Sequence, residues 1–109
     1  MRYKIEETKD ETIVYVFDDV TFKDHELFFE IIDKIKSDKN RKYVLDFSGS
    51  DFIDSAGLGL LVITHDEACF RNIDIIIRNP SERVDDIICA SRFDSLYKIE
   101  RNVWLLYYQ

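Results

Sequence analysis

Apolar positions along this chain follow two rhythms. Ile13-Val14-Tyr15-Val16-Phe17 and Tyr43-Val44-Leu45-Asp46-Phe47 are β-branched and aromatic runs of strand length. Leu27, Phe28, Ile31, Ile32 and Ile35 instead recur at the spacing of one helix face. Residues 2–8 and 11–17 are both β-prone and flank Lys9-Asp10, which predicts an N-terminal hairpin. Thr21 and Asp24 stand in capping-box spacing, so the first helix should start at one of them, and the polar run 37–42 should end it. A second helix is expected from Ser55 to about Phe70, with Leu58, Leu61, Val62, His65, Ala68 and Cys69 as its buried stripe and Asn72 as its terminator. Residues 73–78 read as a nearly continuous apolar strand, as in a sheet covered on both faces. Asn79-Pro80-Ser81-Glu82 predicts a third helix with Asn79 as cap and Pro80 first, and Val84, Ile87 and Ile88 facing the core. Residues 93–99 look like a compact apolar connection, and 103–108 like a last strand. The order β-β-α-β-α-β-α-β implies one α/β domain over residues 1–109, a mixed sheet with helices packed on it and right-handed crossovers.

Composition supports a packed core. Hydrophobic residues make up 46% of the chain, and only three Gly and one Pro occur, which argues against disorder and a turn-rich all-β fold. Fifteen basic against 22 acidic residues give a net charge of −7. Phosphate backbones and anionic lipids would be repelled, so neither nucleic acid nor membrane is an expected partner, and a basic protein surface is the better match. The longest apolar runs, 75–77 and 103–108, are too short to span a bilayer. The first residues lack the apolar segment of a signal peptide, so a cytoplasmic location is expected. Cys69 and Cys89 have neither metal nor redox spacing and read as buried, reduced thiols.

The chemistry concentrates in Asp51-Phe52-Ile53-Asp54-Ser55-Ala56-Gly57-Leu58-Gly59, between the strand around residues 43–47 and the second helix. Strand, tight turn, helix is the context in which α/β proteins place working residues. Gly57 and Gly59 each cost roughly 1 kcal/mol against Ala inside a helix. Such a conflict marks either close backbone packing or a surface that another molecule approaches. A nucleotide cradle at residues 55–59 is a weak reading, since the P-loop Lys and the third Gly of a dinucleotide motif are both missing. Asp46, Asp51 and Asp54 could hold a hard cation for phosphoryl transfer, but no Lys follows residues 73–77, where Arg78 and Asn79 stand instead. The plainer alternative makes Asp46 and Asp51 turn acids and Asp54 a helix cap. Ser55 as a nucleophile lacks a G-x-S-x-G elbow, and His25 and His65 are the only histidines. His65 and Cys69 form an i, i+4 pair, too few ligands for a structural metal. No catalytic residue, metal or cofactor of the chain's own is therefore expected. Ser55 fits better as a residue modified by another enzyme, since a phosphate there adds about −1.5 to −2 charge beside Gly57 and Gly59. Ser55 as a simple N-cap remains the alternative.

The run Tyr43-Val44-Leu45-Asp46-Phe47 followed by Phe52-Ile53-Asp54-Ser55-Ala56-Gly57-Leu58-Gly59 resembles the signature of STAS domains, specifically bacterial anti-sigma factor antagonists. The likeness covers about residues 3–100. It implies a STAS fold and a protein that, when unphosphorylated, binds an anti-sigma factor that is also a serine kinase and so frees a sigma factor for transcription. By the same resemblance the kinase phosphorylates Ser55 to end the complex, and a phosphoserine phosphatase resets it; ATP and Mg²⁺ belong to the kinase. The implied contact surface is Asp54, Ser55, Ala56, Gly57, Leu58 and Gly59, with Thr21 from the loop before the first helix. Two departures stand out. The family's Gly-x-[LI]-Asp entering that helix is Asp18-Asp19-Val20-Thr21 here, and its closing helix has no counterpart in a sequence that stops at Tyr107-Tyr108-Gln109. Other STAS domains serve in signalling or transport assemblies, so an adaptor that is not phosphorylated is the alternative function.

Overall fold

A computed structural model describes residues 1–101 of the chain. The hairpin forms as β1 (Arg2–Glu7) and β2 (Thr12–Phe17), antiparallel with Tyr3 opposite Val16 and Ile5 opposite Val14. Then follow α1 (His25–Ser37), β3 (Lys42–Gly49), α2 (Ser55–Phe70), β4 (Asp74–Arg78), α3 (Glu82–Ala90) and β5 (Lys98–Glu100). The sheet order is β1-β2-β3-β4-β5, and every pairing after the hairpin is parallel. The expected α/β domain with a mixed sheet is what forms.

Alternation along the strands sorts the core. Val14 and Val16 of β2, Tyr43, Leu45 and Phe47 of β3, and Ile75 and Ile77 of β4 join Phe28, Ile31 and Ile35 of α1, Leu60, Leu61 and Ala68 of α2, and Val84 and Ile88 of α3 in one cluster. All three helices therefore pack on one face. The other face carries a smaller apolar strip, Ile13, Val44 and Ile76, with Tyr15 against it. No described helix contributes to that strip. Arg78, two residues beyond Ile76, instead reaches Glu11 and Glu100 at 3.0 Å each. The continuous apolar run of β4 is thus buried on both sides without a second helical layer.

Four local expectations are corrected. In α2 the buried residues are Gly57, Leu60, Leu61, Thr64 and Ala68, whereas Val62 and Cys69 are exposed and Leu58 and His65 half-buried. A helix apolar on most of its circumference has no single stripe for periodicity to find. Both thiols, Cys69 and Cys89, are exposed rather than buried. The cap of α3 is Ser81, whose Oγ accepts from the Val84 N–H at 3.2 Å, because Asn79 takes a left-handed conformation (φ 50°) and turns the chain before the helix begins. Finally, a 3₁₀ turn at Phe93–Ser95 is followed by β5, so the supposed connection contains the fifth strand. The strand expected at 103–108 and the question of a closing helix lie outside the described residues.

Candidate functional site

The turn between β3 and α2 is built around Asp54. Its backbone is extended (φ −84°, ψ 178°), and its Oδ1 accepts from the Gly57 N–H at 2.7 Å, making Asp54 the N-cap of α2. Its Oδ2 accepts from the Phe22 N–H at 3.1 Å. Phe22 opens the short 3₁₀ turn Phe22–Asp24 that leads into α1. One carboxylate therefore supplies partners to backbone donors at two helix starts, donors that would otherwise lack any. Ser55 is not the cap. It is the first helical residue, exposed, and its hydroxyl makes no hydrogen bond among the described residues.

The loop before α1 is laced to the same turn. Val20 forms a parallel bridge with Ile53; the Val20 N–H donates to the Phe52 carbonyl at 2.9 Å and the Asp54 N–H to the Val20 carbonyl at 3.0 Å. Val20 and Ile53 are buried. Against this junction sits Gly57, where a Cβ would lie 2.7 Å from the Val20 carbonyl oxygen and 2.8 Å from Ile53 Cγ2. No larger residue fits without moving the backbone. Gly59 differs, since a Cβ there would meet nothing within 4 Å. Ala56 and Gly59 are exposed beside Ser55, and Leu58 is half-buried on the core.

Thr21 is engaged in the fold as well. It caps the 3₁₀ turn in a complete capping box, with its N–H donating to Asp24 Oδ2 at 2.8 Å and its Oγ1 accepting from the Lys23 N–H at 3.4 Å. Asp24 is buried, and burial alone would raise its carboxyl. The Thr21 N–H and the Met1 ammonium, 3.0 Å away, more than offset this and hold it below the ordinary value. Asp18 occupies the position where the family pattern has Gly, and it takes a left-handed conformation (φ 67°). That is the conformation a glycine adopts without strain and Asp or Asn tolerates. A hydrogen bond from Arg2 Nε at 2.8 Å meets its carboxylate and lowers its pKa.

Of the acids weighed as a cation site, Asp46 is buried and accepts from the Ser48 N–H at 2.9 Å and the Ser48 hydroxyl at 2.6 Å. Asp51 is exposed, and both Asp54 oxygens serve the helix starts. No group of three potential metal ligands comes together among the described residues. His65 packs edge-on against Tyr97, ring centroids 5.2 Å apart, and its Nε2 lies 3.6 Å from Cys69 Sγ. Periodicity did not reveal Phe22 and Phe52, which are 63% and 43% exposed on either side of the Asp54 junction. The usable signals were Phe22 directly after a capping Thr, off the α1 stripe, and Phe52 beside the buried Ile53.

The family model of the STAS domain matches residues 2–104. This chain belongs to the STAS domain family. A STAS-domain containing protein of Pseudomonas aeruginosa (strain UCBPP-PA14) is 37% identical over 59 residues, 54% of this chain and 58% of that protein. The match thus spans little more than half of that relative. Among solved structures, this STAS domain is similar to the anti-sigma factor antagonist SpoIIAA in its unphosphorylated form, with TM-score 0.76 and 18% identity over 96% of this chain and 93% of that one. It is also similar to a sulfate transporter family protein from Wolinella succinogenes, with TM-score 0.70 and 15% identity over 83% and 76% of the two chains. At those identities the likeness is one of fold. No described helix is long and apolar enough to cross a membrane.

Proposed function

We propose that this STAS domain is an anti-sigma factor antagonist, switched by phosphorylation of Ser55. Unphosphorylated, it binds a cytoplasmic anti-sigma serine kinase through Ser55, Ala56, Gly59 and the flanking residues of α2, and so releases a sigma factor. The kinase, which supplies ATP and Mg²⁺, phosphorylates Ser55, and a phosphoserine phosphatase reverses it; the chain itself catalyses nothing. One observation carries the reading: the Ser55 hydroxyl is exposed at the first position of α2 and makes no hydrogen bond among the described residues, while Asp54 does the capping. A phosphate added there would face the positive end of the helix while standing beside Asp54 and Asp51. It would place about two negative charges on a surface that a partner must approach closely at Gly59. Asp54 and Gly57 act in this reading by shaping the surface, Thr21 by fixing the loop beside it.

The likeness to the sulfate transporter family protein favours a second reading, an adaptor domain never phosphorylated, and it rests on fold alone. Intact mass after incubation with ATP and each anti-sigma serine kinase of the source genome separates the two. The switch predicts a gain of one phosphate in the wild type and none in Ser55→Ala. No gain with any of those kinases sinks it and leaves the adaptor.

A further inference from the structure

We propose that residues 102–109 dock on the helix-free face of the sheet and form its second layer. On that face Ile13, Val44 and Ile76 stand side by side in one row across β2, β3 and β4. The next row is Tyr15, Asp46, Arg78 and Glu100. The margins are polar, with Lys4 and Glu6 on β1 and Lys98 on β5 all exposed. An apolar centre inside a polar rim is the anatomy of a surface that is covered.

Burial on this face exceeds what its described residues supply. Arg78 reaches across β3 to Glu11, its Nη1 and Nη2 donating at 3.0 and 3.2 Å, a path that by register passes above Val44. Its Nε pairs with Glu100 at 3.0 Å. These ion pairs account for the burial of Val44. They do not account for their own. The side chains of Arg78, Glu11 and Glu100 are only 14%, 19% and 23% exposed, and no described helix packs on this side. On an open sheet such long side chains keep their charged heads in water.

One stretch of the chain stands where the cover is needed. β5 is the edge strand, and Arg101 is held to Asp85 of α3 at 2.8 Å, so residues 102–109 start at the margin of the face. They carry no charged side chain, in a sequence that is 34% charged. Six in a row are apolar or aromatic: Val103, Trp104, Leu105, Leu106, Tyr107 and Tyr108. Eight extended residues reach roughly 26–29 Å, whereas β5 to β2 is three strand spacings, about 14 Å. Tethering favours this segment over a free partner, because the chain itself sets its effective concentration. A second copy is opposed by the net charge of −7. With this face closed, the helical layer and the Ser55 turn are what the domain offers to a partner.

The test is fluorescence and NMR on the intact chain, whose one tryptophan is Trp104. Expected are blue-shifted emission, protected from acrylamide and unchanged on dilution, and NOEs from the indole ring to methyls of Ile13, Val44 or Ile76. Trp104→Ala should shift those methyls and leave Leu45 and Ile77, on the helical side, in place. Emission at the wavelength of the urea-unfolded chain, or an indole without NOEs to that row, would overturn the proposal. So would NOEs seen only between labelled and unlabelled copies, which would assign the cover to a second molecule. Both readouts use the intact chain, so neither depends on a truncated form folding.

Discussion

Gly57 and Gly59 stand two residues apart in α2, yet they answer to different neighbours. Gly57 faces inward, where the Val20 carbonyl and Ile53 leave no room for a methyl group. Gly59 faces outward into open space, and no described residue requires it to lack a side chain. The inner side of the helix start is fixed by its own fold, through Asp54, Val20 and Ile53. The outer side, with Ser55, Ala56 and Gly59, is exposed among the described residues, and it is this side that the proposed function gives to a partner. Identical residues in one motif thus stand in separate settings, one held by the fold and one that the proposed function gives to recognition.

The largest effect should come from filling the inner side. Gly57→Val forces the Val20 loop away from α2 and should cost about 3 kcal/mol in urea unfolding, within the range for overpacking. A wild-type midpoint would show that the loop gives way freely, and the inner–outer distinction would collapse. Next in size is Asp54→Ala, which removes a cap and also strands the Phe22 N–H. About 1–2 kcal/mol should be lost, with amide exchange quickening at both helix starts rather than at α2 alone.

The outer side should respond with opposite sign. Gly59→Ala is expected to stabilise the domain by up to about 1 kcal/mol, since Ala is the better helix former and its methyl meets nothing. The same substitution should slow phosphorylation of Ser55 by the partner kinase. If it left the rate unchanged, Gly59 would have no part in recognition. The smallest effect is on pH dependence. Asp24 is held below its ordinary 3.8, so its stabilising contribution is complete above that value and is lost as the pH falls through the lower folded one. Asp24→Asn should be less stable than wild type at neutral pH, and the gap should narrow on acidification below pH 3.8.

Much of this was legible in the sequence, because strands and helices with one buried face write their period into it. The α1 stripe is a case: Phe28, Ile31, Ile32 and Ile35 are buried as their spacing implies, with Leu27 half-buried at its edge. α2 is less legible because apolar residues surround it, and Val62 and Cys69 lie outside. β5 is hidden in the sequence because three residues are too few to show a period. At the site, the exposure of a hydroxyl at the helix start could be inferred from the motif, but the choice between Asp54 and Ser55 as cap could not. Both are good caps, and the decision falls to the Phe22 N–H, thirty-two residues away in sequence. The role of Val20 was likewise hidden, because a single bridge between two loops has no periodicity.

The double use of Asp54 also bears on how a mark at Ser55 would carry information. With one carboxylate holding two helix starts, the ground under Ser55 resists deformation, and a new charge there has little slack to take up. The message would then be written as a change of potential on a fixed plate rather than as a movement passed through the molecule. A reader of such a plate has to touch it directly. Erasing the mark would restore the earlier state at once, with no refolding to wait for.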